Sequence, residues 1–373
     1  KKNRYTNLIE MKSIIVYLSV FLILLSCTKD SDGVKLSKAD PDNPGKKKNV
    51  IFMVGDGMGL AQITAARTVN GGNLNMLKCN IVGIQSTHSA DDYVTDSGAS
   101  TTAMACGQKT NNYTIGIDVN GNPISSILEI ASKNNLSTGL VTTTQIVHAT
   151  PAAFYAHQTN RYQYEDIALE LATKGVDFLF GGGRKYFDER SDGVNLLDFM
   201  TSLGYGVAGS LAELTGSKMA VVLISEDAPL KYLEGRGDVL PEAVGIALEH
   251  LKKNKDGFFF MVEGGQIDWA CEENDQEYLI AEMLDFDRAV GKALEFAEAD
   301  GNTLVVITGD HETGGYALLG GDVDGNSVQG EFKTWLHTGM MVPVFAYGPG
   351  AEEFAGVYEN TEFYYKFLEF YKF

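Results

Sequence analysis

Short apolar runs alternate with longer amphipathic stretches along most of the chain. Asn49–Val54, Ile81–Ser86, Gly139–Thr144, Val176–Phe180, Met219–Ile224, Phe258–Val262, Thr303–Thr308 and Val342–Tyr347 all have strand length. Several of them carry almost no polar position, as expected of strands covered on both faces. Between them, the segment from Leu60, Ile124–Lys133, Tyr164–Lys174 and Pro241–Lys253 read as helices. A small-residue helix is expected after Gly98, with Asp96 or Ser97 at its N-cap and Gly107 as its stop. Another is expected from Pro151, with Thr150 at its cap and Arg161 about three turns further on. A long helix follows Asp268, with apolar residues at Leu279, Met283, Phe286, Val290, Leu294 and Ala297 in steps of three and four. Alternating strand and helix predicts an α/β fold, a three-layer sandwich whose central, mostly parallel β-sheet has helices on both faces.

The first 48 residues follow a different pattern. An apolar run, Ile14–Leu25, follows Met11-Lys12 and ends in Leu24-Leu25-Ser26-Cys27. About 12 residues at roughly 1.5 Å each fall short of a hydrocarbon core of about 30 Å, so the run reads as a signal rather than a span. Its ending resembles a bacterial lipoprotein signal, which implies cleavage before Cys27 and acylation of that thiol. An ordinary secretory signal with an incidental cysteine is the alternative. Residues 1–26 are thus read as an upstream extension, with Met11 as the start, plus the signal peptide. Residues 27–48 are read as an acylated Cys27 and a flexible tether, and residues 49–373 as one α/β domain. The expected location is exported, periplasmic or at the cell surface, lipid-anchored to a bacterial membrane.

Composition narrows the function. The 373-residue chain is 44% hydrophobic and 21% charged, enough to bury a large core. Its net charge of −19 argues against a nucleic-acid partner or an anionic-membrane footprint. The same charge would repel phosphate esters unless local cations offset it. Cys79, Cys106 and Cys271 match no disulfide framework or zinc knuckle and read as small buried apolar residues.

Candidate chemistry gathers where strands end. Asp56 lies in Gly55-Asp56-Gly57-Met58-Gly59 after the first strand, Glu263 ends another, and Asp310-His311 follows a third. Asp268, His337 and Ser97 lie in adjoining loops or helix starts. In open α/β sheets, sites form at the carboxyl edge of the strands. Each residue alone reads as a cap or turn, but several on one edge supply the anionic oxygen and imidazole that divalent metals need. A serine at a helix start sits near unpaired N–H groups, a seat for phosphate. No Gly-x-Ser-x-Gly elbow surrounds Ser97, which argues against a Ser-His-Asp hydrolase.

Six motifs in order resemble those of the alkaline phosphatases: Gly55–Gly59, Thr95–Ala99, His148–Ala152, Glu263–Asp268, Gly309–His311 and His337–Gly339. The resemblance implies metal-dependent hydrolysis of small phosphate monoesters to alcohol and orthophosphate, through a phosphoserine at Ser97. It implies two Zn2+ and one Mg2+. Asp56, Asp310 and His311 resemble the ligands of one zinc, and Asp268 and His337 those of the second. Glu263 and Thr150, with the other Asp56 oxygen, resemble the magnesium site, and His148 occupies a neighbouring position. Arg161 resembles the arginine that grips two phosphate oxygens. Many members of that family are dimers, so a homodimer is admitted.

One position departs from that pattern. The family usually has Asp-x-x-x-His at the second zinc, whereas Asp268 is followed four residues later by Glu272. On a helix the two share a face, so a carboxylate can still reach a metal while weakening it as a Lewis acid. Only 25 residues separate His311 from His337, too few for the accessory crown domain of some members. Trp269 either walls the leaving-group side or packs the helix start. The alternatives are a phosphodiesterase of the same fold and a non-catalytic phosphate- or metal-binding lipoprotein. A sulfatase is disfavoured because no x-Pro-x-Arg follows Ser97.

Overall fold

In the computed structural model, the structure describes residues 48–373 apart from 323 and 326. The signal, Cys27 and nearly all of the tether lie outside the described residues. Among the described residues no helix is long and apolar enough to cross a membrane.

Ten strands form one sheet, in the order β14-β2-β13-β8-β1-β7-β3-β4-β6-β5. They are β1 (Lys48–Gly55), β2 (Ile81–Ser86), β3 (Ser137–Gln145), β4 (Phe178–Gly182), β5 (Tyr205–Ala208), β6 (Met219–Leu223), β7 (Gly257–Gly264), β8 (Thr303–Gly309), β13 (Val342–Tyr347) and β14 (Gly356–Glu359). Only β13 runs antiparallel to its neighbours, β2 and β8. Four further strands make two small pairs: β9 (Glu312–Thr313) with β12 (His337–Thr338), and β10 (Ala317–Gly321) with β11 (Val328–Glu331).

Alternation along β1 shows why the sheet is a middle layer. Val50, Phe52 and Val54 enter one buried cluster with Phe363 and Phe367 of the C-terminal helix Glu362–Tyr371. Ile51 and Met53 enter the opposite cluster with Leu279, Met283 and Phe286 of the helix Gln276–Asp300. Neither face of β1 meets water, so its sequence has no polar alternation. The three cysteines outside the N-terminal region are buried and free, as small core residues.

Two helices differ from expectation. The segment at Pro151 is a single turn, Ala149–Ala152, with His148 at the N-cap position, so Thr150 lies inside it and Arg161 is on no helix. The helix after Asp268 is broken: Gln266–Glu272 ends, Asn274 takes φ 53°, and Asp275 caps a new helix at Gln276 by accepting from Glu277 and Tyr278 N–H. An Asx cap outcompetes continuation there because the apolar stripe begins only beyond it.

Candidate active site

Three adjacent central strands deliver three carboxylates to one edge. Asp56 follows the last residue of β1, Glu263 is the penultimate residue of β7, and Asp310 follows the last residue of β8. Gly57 takes φ 72°, and a Cβ there would come within 2.9 Å of the Asp268 α-carbon, so only glycine lets the turn bring Asp268 against Asp56. The two-residue pairing of β12 with β9 sets His337 opposite Thr313. Buried Glu312 holds that pair, accepting from Gln62 Nε2 and from the Thr338 hydroxyl.

Ser97 is the first residue of the helix Ser97–Cys106, capped by Asp96, whose Oδ1 accepts from Ala99 N–H at 2.9 Å. Ser97 Oγ lies 3.2 Å from His311 Nε2. The Thr313 hydroxyl donates to Asp268 Oδ1, so it accepts from His311 Nδ1–H and leaves the lone pair on Nε2. His337 Nδ1 donates to Thr95 O at 2.9 Å, which likewise leaves its Nε2 lone pair free. That Nε2 lies 3.6 Å from Asp268 Oδ1, and the two imidazoles stack at 3.6 Å. His311 Nε2 is 3.4 Å from Asp56 Oδ1 and 3.3 Å from Asp310 Oδ2.

Ligating atoms thereby converge in three clusters: Asp56, Asp310 and His311; Asp268, His311 and His337; and Asp56, His148 and Glu263. Among the described residues, both Asp56 oxygens, Asp310 Oδ2, Glu263 Oε1, Thr150 Oγ1 and His148 Nδ1 are buried without a hydrogen-bond partner. Buried polar atoms are nearly always satisfied, so the orphaned oxygens among these, aimed at common points, fit divalent cations. Burial, then repulsion from Asp310, Asp268 and Glu263, drives the Asp56 carboxyl far above the usual range. Burial pushes Glu263 up to about 7, although Thr142 and Thr144 donate to its Oε2. Burial, reinforced by His337, lowers His311, keeping it the neutral imidazole a metal requires.

Arg161 supplies the site's fixed cation. Its Nη1 donates to Asp96 Oδ2 at 2.8 Å and its Nη2 to His148 Nε2 at 3.2 Å. Burial opposes ionisation of Asp96, but the Arg161 guanidinium and the N–H groups of Ala99 and Tyr113 outweigh it and hold the carboxyl below its ordinary value. Because Arg161 donates to its Nε2, the neutral His148 ring carries its proton on Nδ1; burial, then Arg161, keeps it neutral. Trp269 is half-buried and packs edge-on against His148 at 5.9 Å.

Sequence comparison decides the family. The alkaline phosphatase family model matches residues 47–335. The chain belongs to the alkaline phosphatase family. Alkaline phosphatase 4 of Bacillus subtilis is 34% identical, over 87% of this chain and 89% of its own. The alkaline phosphatase of the Antarctic bacterium TAB5 is 39% identical with a TM-score of 0.84, over 88% of this chain and 99% of its own. A variant of that enzyme, solved with Mg bound, superposes with a TM-score of 0.83 over the same shares. The segment between His311 and His337 holds β9 and the β10–β11 hairpin as its described strands.

Of the expected residues, Ser97, Asp56, Asp268, Asp310, His311 and His337 are brought together, with Glu263, His148, Thr150 and Arg161 beside them. Glu272 is the exposed last residue of the helix Gln266–Glu272 and joins none of the three clusters. Although the residue as a whole is exposed, partial burial of its carboxyl and then Asp268 lift it to about 7. Sequence reasoning missed Asp96 as the counterion of Arg161, and Thr142, Thr144, Thr313 and Glu312 as the groups that orient the ligands. The Thr142-Thr143-Thr144 run at a strand end was the available signal.

Proposed function

We propose that this alkaline phosphatase family member hydrolyses phosphate monoesters through a phosphoserine at Ser97. The observation that carries the reading is Ser97 Oγ, at a helix N-terminus, 3.2 Å from an imidazole shared by two clusters of carboxylate and imidazole ligand atoms. Asp56, Asp310 and His311 would hold one Zn2+, Asp268 and His337 a second, and Glu263, Thr150 and Asp56 an Mg2+ beside His148. When bound, such cations supply positive charge that lowers hydroxyl and water pKa values and offsets charge on the phosphoryl group.

The chain's own groups position the rest. Arg161, held by Asp96, presents its fork to two non-bridging oxygens. The first N–H groups of the helix Ser97–Cys106 face the same charge. Ser97 Oγ displaces the ester oxygen in line, the alcohol leaves with a proton, and water then displaces the serine oxygen to release orthophosphate. The same proposal includes the lipid on Cys27, export to the periplasm or cell surface, and a homodimer. Mass spectrometry of the Cys27 peptide and the solution mass of the soluble body check these.

The deciding assay offers the soluble body a phosphate monoester, a diester and a sulfate ester, with and without chelator. Metal-dependent release from the monoester alone supports the proposal. Diester cleavage favours the phosphodiesterase, and no release after zinc and magnesium are restored favours a binding lipoprotein.

A further inference from the structure

Next to Arg161 the chain places two exposed tyrosine rings, Tyr113 and Tyr162. Tyr113 has φ 69°, a left-handed backbone in which a bulky side chain is sterically disfavoured and glycine or asparagine is easier. The strain is held from both sides: Tyr113 N–H donates to Asp96 Oδ1 at 3.0 Å, and its carbonyl accepts from Arg161 N–H at 2.7 Å. Despite that cost, Tyr113 is 53% exposed, so burial does not explain an aromatic residue there. Tyr162 is 58% exposed; its ring lies 5.8 Å from the Arg161 guanidinium carbon and 6.3 Å from the Tyr113 ring, at an interplanar angle of 37°. Tyr164 also packs against Tyr162, in a perpendicular arrangement with ring centroids 6.2 Å apart. On the His337 side, Tyr93 is 76% exposed and its ring rests on Gly339, where a Cβ would come within 2.2 Å of it.

We infer that Tyr113 and Tyr162 form a stacking platform for the leaving group, selecting phosphate monoesters of planar, nucleoside-like alcohols. The inference rests on the phosphomonoesterase reading and adds its substrate class. With a phosphate on Arg161, the exposed ring of Tyr162, 5.8 Å from the guanidinium carbon, and Tyr113 beyond it lie within reach of an ester group. Exposed aromatic faces accept any base or aryl ring by stacking, without reading hydrogen-bond edges. Tyr162 is already polarised by the guanidinium beneath it.

The test compares adenosine 5′-monophosphate with glycerol 3-phosphate, both of which release a primary alkoxide, so the bond broken is matched and only the ring differs. In the metal-loaded protein the ratio of their kcat/KM values falls about 5-fold in Tyr162→Ala and in Tyr113→Asn, chiefly through KM. Asn tolerates the left-handed backbone, so the second variant keeps the Asp96–Arg161 link. Tyr162→Phe retains the ratio. A ratio unchanged in the double variant, or equal loss on both esters, overturns the platform. If the wild type releases phosphate from neither ester, the phosphatase reading fails by itself. Calorimetric adenosine binding then decides the platform: about 5-fold weakening in Tyr162→Ala supports it, and unchanged or absent binding overturns it.

Discussion

Two groups of buried carboxylates sit in this molecule and are treated in opposite ways. Glu282 and Asp285, on the helix Gln276–Asp300, share the buried guanidinium of Arg236, and Asp285 also receives Arg288 at 3.0 Å. Burial raises both carboxyls, but Arg236 pulls against it and their oxygens have partners. Asp56, Glu263 and Asp310 are buried as deeply, yet the arginine nearest them is committed to Asp96 and they keep orphaned oxygens. Where the fold needs only to hold together, it carries its own counterion. Where it needs a cation to do chemistry, it leaves the lone pairs open.

The largest effect expected from this contrast is on turnover alone. Ser97→Ala should lower phosphate release by about 10⁴-fold, equivalent to roughly 5.5 kcal/mol, while leaving zinc binding and unfolding midpoint in place. Retained turnover would remove Ser97 from the chemistry. Next, Arg236→Met should cost about 3–5 kcal/mol of stability by stranding buried Glu282 and leaving Asp285 with Arg288 alone, without changing metal affinity. In urea unfolding with chelator, Asp56→Asn should do the reverse, stabilising the metal-free protein by about 1–3 kcal/mol while metal affinity collapses.

The His157 network is an intermediate case, since its cation can be titrated. His157 meets Glu170 at 3.2 Å and Glu129 at 3.5 Å, and hydrogen bonds to these carboxylates raise it from 6.5 to about 9. A raised histidine stabilises fully below its unfolded value, so this contribution is present below pH 6.5 and lost as pH rises through about 9. The loss should be about 2 kcal/mol, read by denaturant unfolding across that window, and His157→Gln should flatten it. The smallest effect tests Glu272. If its carboxylate ligates, Glu272→His should raise zinc affinity and turnover by about 10-fold; unchanged zinc occupancy and turnover would place the side chain outside the site.

Much of this arrangement was legible in the sequence because burial leaves a mark. Apolar runs such as Phe258–Val262 can only be interior strands, and a carboxylate just beyond one can only sit at the sheet edge. Asp96 or Ser97 and Gly107 likewise marked the two ends of the helix; Asp96 is the cap, and Gly107 does take φ 72°. What was hidden depends on side-chain contacts with no period. The β9–β12 pair is two residues long, and a buried Glu312 network holds it. Arg161 was expected on a helix from Pro151, but the chain leaves that single turn and binds Tyr113 O and Asp96 instead. The strand Gly356–Glu359 and the helix Glu362–Tyr371 were also unforeseen; their aromatic residues pack onto a face whose pattern shows only once the sheet is built.

Anomalous diffraction at the zinc edge, from crystals of the metal-loaded protein, tests the central claim most directly. Peaks among Asp56, Asp310 and His311, and between Asp268 and His337, within bonding distance of their carboxylate oxygens and imidazole nitrogens, are the predicted result. A fully zinc-equilibrated crystal with no peak at either position, its carboxylates instead protonated and paired with each other, would contradict it.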